Sequence, residues 1–142
     1  MRVAVLIVLL ALAGNCEAAD WADWLLRKDT FGEWLVVDRK KGFDVYANAG
    51  TIRNSGGIAK MWELTDFGDD KGALSGKGPM SLKTERDYDC NRQHWRTIYI
   101  ARHSKNMGEG SILSSDSIDG SWQPVAAGTI GERLWRIACN RR

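Results

Sequence analysis

Two histidines are the first candidates for acid–base or metal chemistry in this sequence. His94 and His103 lie nine residues apart in a segment whose pattern predicts a single β-strand. Side chains alternate between the two faces of a strand, so an odd separation points the two imidazoles to opposite sides. They therefore cannot share a metal ion unless the strand is broken, and we expect each to have a surface or packing role.

The other residue types that do chemistry form no recognised catalytic pattern. Asp69 and Asp70 lie in the glycine-rich stretch 68–79, which lacks the spaced ligands of a calcium-binding loop. The glycines match no phosphate-binding fingerprint, and the sequence contains no Cys-x-x-Cys pair. We therefore expect no enzyme activity, no cofactor and no metal site.

The amino terminus has the pattern of a secretory signal peptide. Arg2 precedes an uncharged run over 3–14, and a small residue at Ala18 marks the predicted cleavage site. Acylation of Cys16, as in a lipoprotein, is disfavoured because Asn15 stands where that signal needs a small residue. The predicted organisation is a signal peptide at 1–18 and one domain at 19–142 with its core at 33–140. We expect export to the periplasm, the cell surface or the medium, with no membrane span in the mature chain.

Export also determines what the cysteines do. The periplasm and the cell surface permit disulfides, and loss of the signal peptide leaves Cys90 and Cys139 as the two cysteines of the mature chain. We expect them to pair with each other, and two free buried thiols are the alternative. Cleavage removes one basic and one acidic residue, so the net charge stays at +2. So mild a charge argues against an obligate nucleic-acid binder.

Basic residues of one predicted hairpin are the candidate partner-binding site. They are Lys83, Arg86, Arg92 and Arg102. A positive surface there would suit acidic segments of a protein partner or a glycosaminoglycan. Strand alternation nevertheless places Lys83 and Arg86 on opposite faces. The alternative for Arg86 and Arg96 is an inward position, paired with a carboxylate such as Asp89 or with backbone carbonyls.

The elements that position these residues are mostly strands. Hydrophobic patterning predicts strands at 33–38, 43–47, 58–67, 80–89, 94–103 and 111–115, with turns at 40–42 and 48–57 and a loop at 68–79. In the 80–89 strand the apolar side chains fall on one face, and Cys90 shares their parity. In the 94–103 strand, alternation places Trp95, Thr97, Tyr99 and Ala101 on one face.

The carboxyl terminus has the pattern of a helix. Thr129 and Glu132 form a capping box, and Ile130, Leu134 and Ile137 recur at helical spacing. We expect this helix to cover the sheet face that carries Leu82, Thr84 and Tyr88. The predicted fold is α+β, an antiparallel sheet of five to six strands with one carboxyl-terminal helix on one face and one disulfide.

Short motifs along most of the chain point to a family. They are the 61–67 segment Met-Trp-Glu-Leu-Thr-Asp-Phe, the Asp89–Cys90 pair, Met107–Gly108, the 122–125 segment Trp-Gln-Pro-Val and the 134–139 ending. Together they resemble the surface-adhesin protein E family of exported bacterial proteins. The resemblance implies an antiparallel sheet with a carboxyl-terminal helix and, for the best-known members, binding of vitronectin, laminin and plasminogen. Asn48 and Thr51 stand where the family turn usually carries Asp and Ser.

The stretch 20–32 has no counterpart in this resemblance. Trp21, Trp24 and Leu25 fit one face of a short helix capped by Asp20. This segment is either an exposed aromatic patch for a partner or a lid over the sheet, and we favour the lid because large exposed apolar patches are uncommon on monomers.

Two functions are consistent with the whole sequence. The first is an exported adhesin-like domain that binds a macromolecular partner. The second is a structural or assembly protein of the bacterial envelope that has no host ligand.

Overall fold

A computed structural model describes residues 30–31, 33–68 and 78–140 of the chain. The predicted signal peptide, the Trp21 and Trp24 segment and the Asp69–Asp70 pair lie outside these residues and stay predictions. Within the described ranges, no helix is both long enough and apolar enough to cross a membrane.

One antiparallel sheet makes up most of the described chain. Its strands are β1 (Thr30–Phe31), β2 (Trp34–Lys40), β3 (Phe43–Ser55), β4 (Ile58–Asp66), β5 (Ser81–Asp89), β6 (His94–His103), β7 (Ile112–Ser117) and β8 (Gln123–Pro124). The first seven pair in chain order, and β8 pairs with the beginning of β6. The predicted five-to-six-stranded antiparallel sheet is confirmed for the longer strands, to which β1 and β8 add two residues each.

Strand β3 is longer than its sequence pattern predicts. The predicted turn at 48–57 is wrong for residues 48–55, which continue the strand through a break in register opposite β4. The Thr51 hydroxyl donates to the Asn48 carbonyl oxygen at 2.7 Å and accepts from the Trp62 backbone N–H at 3.0 Å. This hydroxyl replaces a missing ladder bond, so an irregular, polar stretch stays paired as a β-bulge.

A second bulge changes which residues of β6 face which way. Arg86 pairs with Thr97 but Glu85 pairs with Tyr99, so Ile98 is an extra residue in β6. The predicted alternation is therefore wrong beyond Thr97, and Tyr99 faces the side opposite Thr97.

The same bulge corrects the placement predicted for the two histidines. His94 pairs with Asp89 and His103 with Ser81, so both imidazoles lie on one side of the sheet. They stand at opposite ends of β6, about 25 Å apart along the strand. This distance, and not the strand parity, is what separates them.

Helix α1 (Ile130–Ala138) begins with the predicted cap. The Thr129 hydroxyl accepts from the Glu132 backbone N–H at 3.3 Å, and the Glu132 carboxylate accepts from the Gly128 N–H at 2.7 Å. The helix ends at Cys139, which forms the predicted disulfide with Cys90. The bridge thus ties the end of α1 to the residue that follows β5.

The main core lies between α1 and one face of the sheet, which we call the helix side. Leu134 is 2% exposed and packs in one cluster with Val45, Met61 and Tyr88. The predicted contact with the β5 face is only partly right, because α1 lies mainly over β2, β3 and β4. Two small residues, Ala47 and Ala59, give the helix room at that position.

The opposite sheet surface, which we call the open face, has a smaller core of its own. Trp34, Tyr46 and Leu64 form this cluster, and Met107 of the 3-10 helix Asn106–Gly108 packs against it. The rest of the open face, over β4, β5 and β6, lies away from α1. Its side chains are half-buried because they cover one another.

Candidate functional site

The four predicted partner-binding residues lie at three separate places. They are Lys83 on the open face, Arg86 and Arg102 on the helix side, and Arg92 in the turn after β5. Arg92 lies 3.8 Å from the Asp89 carboxylate, and Arg102 pairs with Asp116 at 2.7 Å across β6 and β7. They therefore do not form one continuous positive surface, and a role for any of them in binding stays a prediction.

Arg86 takes the inward position considered as its alternative. Its Nη1 donates to the Glu63 carboxylate at 2.8 Å, and its guanidinium carbon lies 4.4 Å from the centroid of the Trp95 ring. The Tyr88 hydroxyl donates to the other oxygen of the same carboxylate. Glu63 is 4% exposed. The carboxylate partner is thus Glu63 from β4 and not Asp89, which instead accepts from backbone N–H groups of the following turn.

Burial sets the electrostatics of this cluster. Desolvation raises the pKa of Glu63 above its usual value, while the Arg86 charge and the Tyr88 hydrogen bond act in the opposite direction. Desolvation and the nearby Glu63 charge likewise raise the pKa of Tyr88. A carboxylate this deeply buried is retained only with such partners. We assign the cluster a structural role, in fixing the alignment of β4, β5 and β6.

Arg96 also pairs with a carboxylate, but on the open face. Its Nη2 and Nε lie 2.9 Å and 3.1 Å from one oxygen of Asp87 on β5. Lys60 of β4 lies 3.7 Å from the other oxygen of Asp87 and 3.8 Å from the carboxylate of Glu85. Charges of both signs thus alternate across three strands of the open face.

Aromatic side chains stand among these charges. The rings of Trp62 and Tyr99 meet edge to face, with centroids 5.8 Å apart. Trp122, which is 37% exposed, covers the Arg96 guanidinium at 4.7 Å. We call the surface formed by Lys60, Trp62, Arg96, Tyr99 and Trp122 the open-face patch.

The composition of this patch is typical of recognition surfaces. Tryptophan, tyrosine and arginine are the residues that most often dominate binding energy at protein interfaces. Sequence reasoning missed the patch because the bulge at Ile98 hides the fact that Arg96 and Tyr99 share a face. The alternation of charged residues in β5, from Lys83 to Asp87, is the signal that marks this face as polar.

The two histidines have different surroundings. The Nδ1 of His94 lies 2.7 Å from the Arg92 carbonyl oxygen. His103 is 7% exposed, and the described residues offer its Nδ1 no hydrogen-bond partner. Burial, with a smaller effect of Lys83, lowers the pKa of His103, so its imidazole is held neutral. In the part of the chain that the structure describes, no three His, Cys, Asp or Glu side chains are grouped to hold a metal ion.

Comparison with known proteins supports the fold and gives the family. No curated protein matches the sequence significantly. Among solved structures, protein E from non-typeable Haemophilus influenzae is 10% identical with a TM-score of 0.57, covering 80% of this chain and 79% of its own. A second crystal form of Haemophilus influenzae protein E is 13% identical with a TM-score of 0.54, covering 73% of this chain and 91% of its own.

Identities this low establish a shared fold alone. The sequence model of the surface-adhesin protein E family provides separate evidence, because it matches residues 34–140, which span β2 to the residue after the disulfide. This chain therefore belongs to the surface-adhesin protein E family.

Proposed function

We propose that this protein is an exported bacterial adhesin-like domain that binds a protein partner through its open-face patch. Family membership supports the general role, since the family is one of surface adhesins. Host matrix proteins such as vitronectin and laminin, and plasminogen, are the partners that the family resemblance proposes. The role is that of a binding protein and not of an enzyme.

The observation that carries this proposal is the arrangement of the open-face patch. Its exposed tryptophan, Trp122, stacks on a guanidinium that Asp87 already holds in place. The edge-to-face pair of Trp62 and Tyr99 fixes two more large side chains. Aromatic groups that are already ordered lose little conformational entropy when a partner binds, and this favours affinity.

Adhesion of intact cells tests the proposed role. Cells that express the protein should attach to surfaces coated with at least one matrix protein, and cells carrying Trp122→Ala together with Tyr99→Ala should attach less. Ile112→Ala is a matched control, since Ile112 is an apolar residue of β7 outside the patch and 56% exposed. Equal attachment by all three strains would argue against the patch.

Proteolysis of intact cells separates adhesion from a role inside the envelope. A displayed adhesin is degraded when protease is added to whole cells. Protection of the protein in intact cells, with degradation after the outer layer is opened, would support the alternative of an envelope structural or assembly protein without a host ligand.

A further inference from the structure

A second concave site lies on the open face, beside the open-face patch. A cleft of about 260 Å³ opens between β2, β3, β4 and β5. It is lined by Glu33, Trp34, Asn48, Thr51, Trp62 and Lys83. Sites for drug-sized ligands usually measure about 300 to 1,000 Å³. This cleft therefore has room for a single ring and not for a larger molecule.

The side-chain amide of Asn48 is the most informative group in the cleft. Asn48 is 3% exposed and lies on the open face, paired with Trp62 of β4. None of the described residues forms a hydrogen bond with its side-chain amide, although the backbone carbonyl of Asn48 accepts from the Thr51 hydroxyl. The amide atoms of Asn48 are not among the fully buried, unpaired polar atoms of the described residues, so they keep contact with solvent in the cleft. An amide that lines a cleft without a partner is thus available to a ligand, to which it offers both a donor and an acceptor.

The walls of the cleft add aromatic and cationic groups. Trp34 and Trp62 supply indole rings from β2 and β4, the strands on either side of β3, and the Lys83 ammonium lies 5.8 Å from the centroid of the Trp34 ring. Among the described residues, Lys83 forms no salt bridge, so its donors remain available at the edge of the cleft. The Glu33 carboxylate stands at the exposed rim.

These groups match the chemistry of a sugar ring. The face of an aromatic ring is electron-rich and attracts polarised C–H groups, which a pyranose presents together on one side. The hydroxyls of the same ring donate and accept hydrogen bonds, as a carboxamide and an ammonium require. A purely apolar ligand would leave the Asn48 amide buried and unpaired, at a cost typical of an unsatisfied polar group.

We propose that the cleft lined by Trp34, Asn48, Trp62 and Lys83 binds a single pyranose ring, such as the terminal sugar of a glycan. This inference goes beyond the proposed protein partner and does not depend on it. The two sites have only Trp62 in common.

Ligand-observed saturation-transfer NMR on the mature protein tests the proposal. The probes are the methyl pyranosides of glucose, galactose, N-acetylglucosamine and glucuronic acid. At least one should show transfer, and Asn48→Ala should weaken its binding at least tenfold. The matched control is Asn54→Ala, since Asn54 is an exposed asparagine of the same strand.

Thermal unfolding separates a binding role of Asn48 from a structural one. Because Asn48 has no side-chain hydrogen bond to lose, Asn48→Ala should still fold cooperatively, although truncating a side chain that is 3% exposed loses some packing. Two results would each overturn the proposal: no transfer to any of the four pyranosides, or equal binding by a folded Asn48→Ala and the wild type. The Trp122→Ala variant, which changes a patch residue that does not contact the cleft, should keep sugar binding, so failure of the proposed protein partner would not be mistaken for failure of this site.

Discussion

Replacing Arg86 with methionine should cost this protein much of its stability. The change leaves the Glu63 carboxylate, which is 4% exposed, with the Tyr88 hydroxyl as its remaining partner in the cluster. Removing one partner of a buried ion pair typically destabilises a protein by about 3 to 5 kcal/mol. Domains have a total stability of about 5 to 15 kcal/mol. The Arg86→Met variant should therefore fold with a small margin at neutral pH.

The loss should also depend on pH in a defined direction. Burial already raises the pKa of Glu63, and the Arg86 charge opposes that rise, so removing Arg86 should raise it further. A carboxyl whose pKa is higher in the folded protein than in the unfolded chain favours folding most when the pH is below its unfolded-state pKa, about 4.3. This contribution to stability is lost as the pH rises through the folded-state pKa. Arg86→Met should thus be closest to the wild type at low pH and should weaken as the pH increases.

Urea denaturation at pH 5 and pH 8 measures both effects. The matched control is Arg102→Met, since Arg102 pairs with Asp116 at a site where the side chains are 38% and 59% exposed. An exposed pair is worth at most about 1 kcal/mol. Adding Glu63→Gln to Arg86→Met should restore part of the lost stability, because the buried charge is gone. Equal losses for Arg86→Met and Arg102→Met, or a larger loss for Arg86→Met at pH 5 than at pH 8, would refute this reasoning.

Four further variants test the fold. Leu134→Ala should lower the free energy of unfolding by about 2 to 5 kcal/mol, because Leu134 is 2% exposed in the main core. Thr129→Ala should lower it by only about 1 kcal/mol, through loss of the helix cap. Chemical denaturation of both variants measures the difference. Replacing Cys90 and Cys139 together with serine should remove up to about 4 kcal/mol, since the bridge closes a loop of 49 residues, and reducing agent should then have no further effect on the melting temperature. The pKa of His103 is lower in the folded protein than in the unfolded chain, where it is about 6.5, so the neutral imidazole favours folding above that pH. This contribution to stability is lost as the pH falls through the pKa of the folded state. Between pH 7.5 and pH 5, the urea midpoint should therefore fall less in His103→Gln than in the wild type.

Much of the fold follows from local sequence rules. The cap at Thr129, the apolar stripe through Leu134 and the alternation in β5 are patterns of neighbouring residues, and each predicted its element correctly. The disulfide prediction followed from the expected export and from the number of cysteines outside the predicted signal peptide, and the structure confirms the bridge.

The irregular features depend on contacts between strands that no local pattern contains. The extra residue at Ile98 appears only when β6 is aligned with β5, and the bulge in β3 depends on a hydrogen bond from Trp62 to Thr51. Strand register controls which side chains share a face, so one extra residue in a strand moves every later side chain of that strand to the other face of the sheet. For this reason the histidine placement was wrong and the open-face patch was missed.

The partner of Arg86 was hidden for the same reason. The sequence suggested a nearby carboxylate such as Asp89, three residues further along the chain. Strand pairing instead places Glu63, 23 residues earlier, beside the guanidinium. Glu63 lies between two apolar residues of a strand, which favours a buried position but does not identify its partner.

Direct binding of the purified domain at 19–142 to matrix proteins is the most decisive measurement. Immobilised vitronectin, laminin and plasminogen are each exposed to the wild type, to the Trp122→Ala and Tyr99→Ala double variant, and to Ile112→Ala. We expect the wild type and Ile112→Ala to bind at least one of the three with the same Kd, and the double variant to bind it at least tenfold more weakly, since aromatic residues of this kind often dominate interfaces. Binding of none of the three proteins, or an equal Kd for the double variant, would contradict recognition of a matrix partner through the open-face patch.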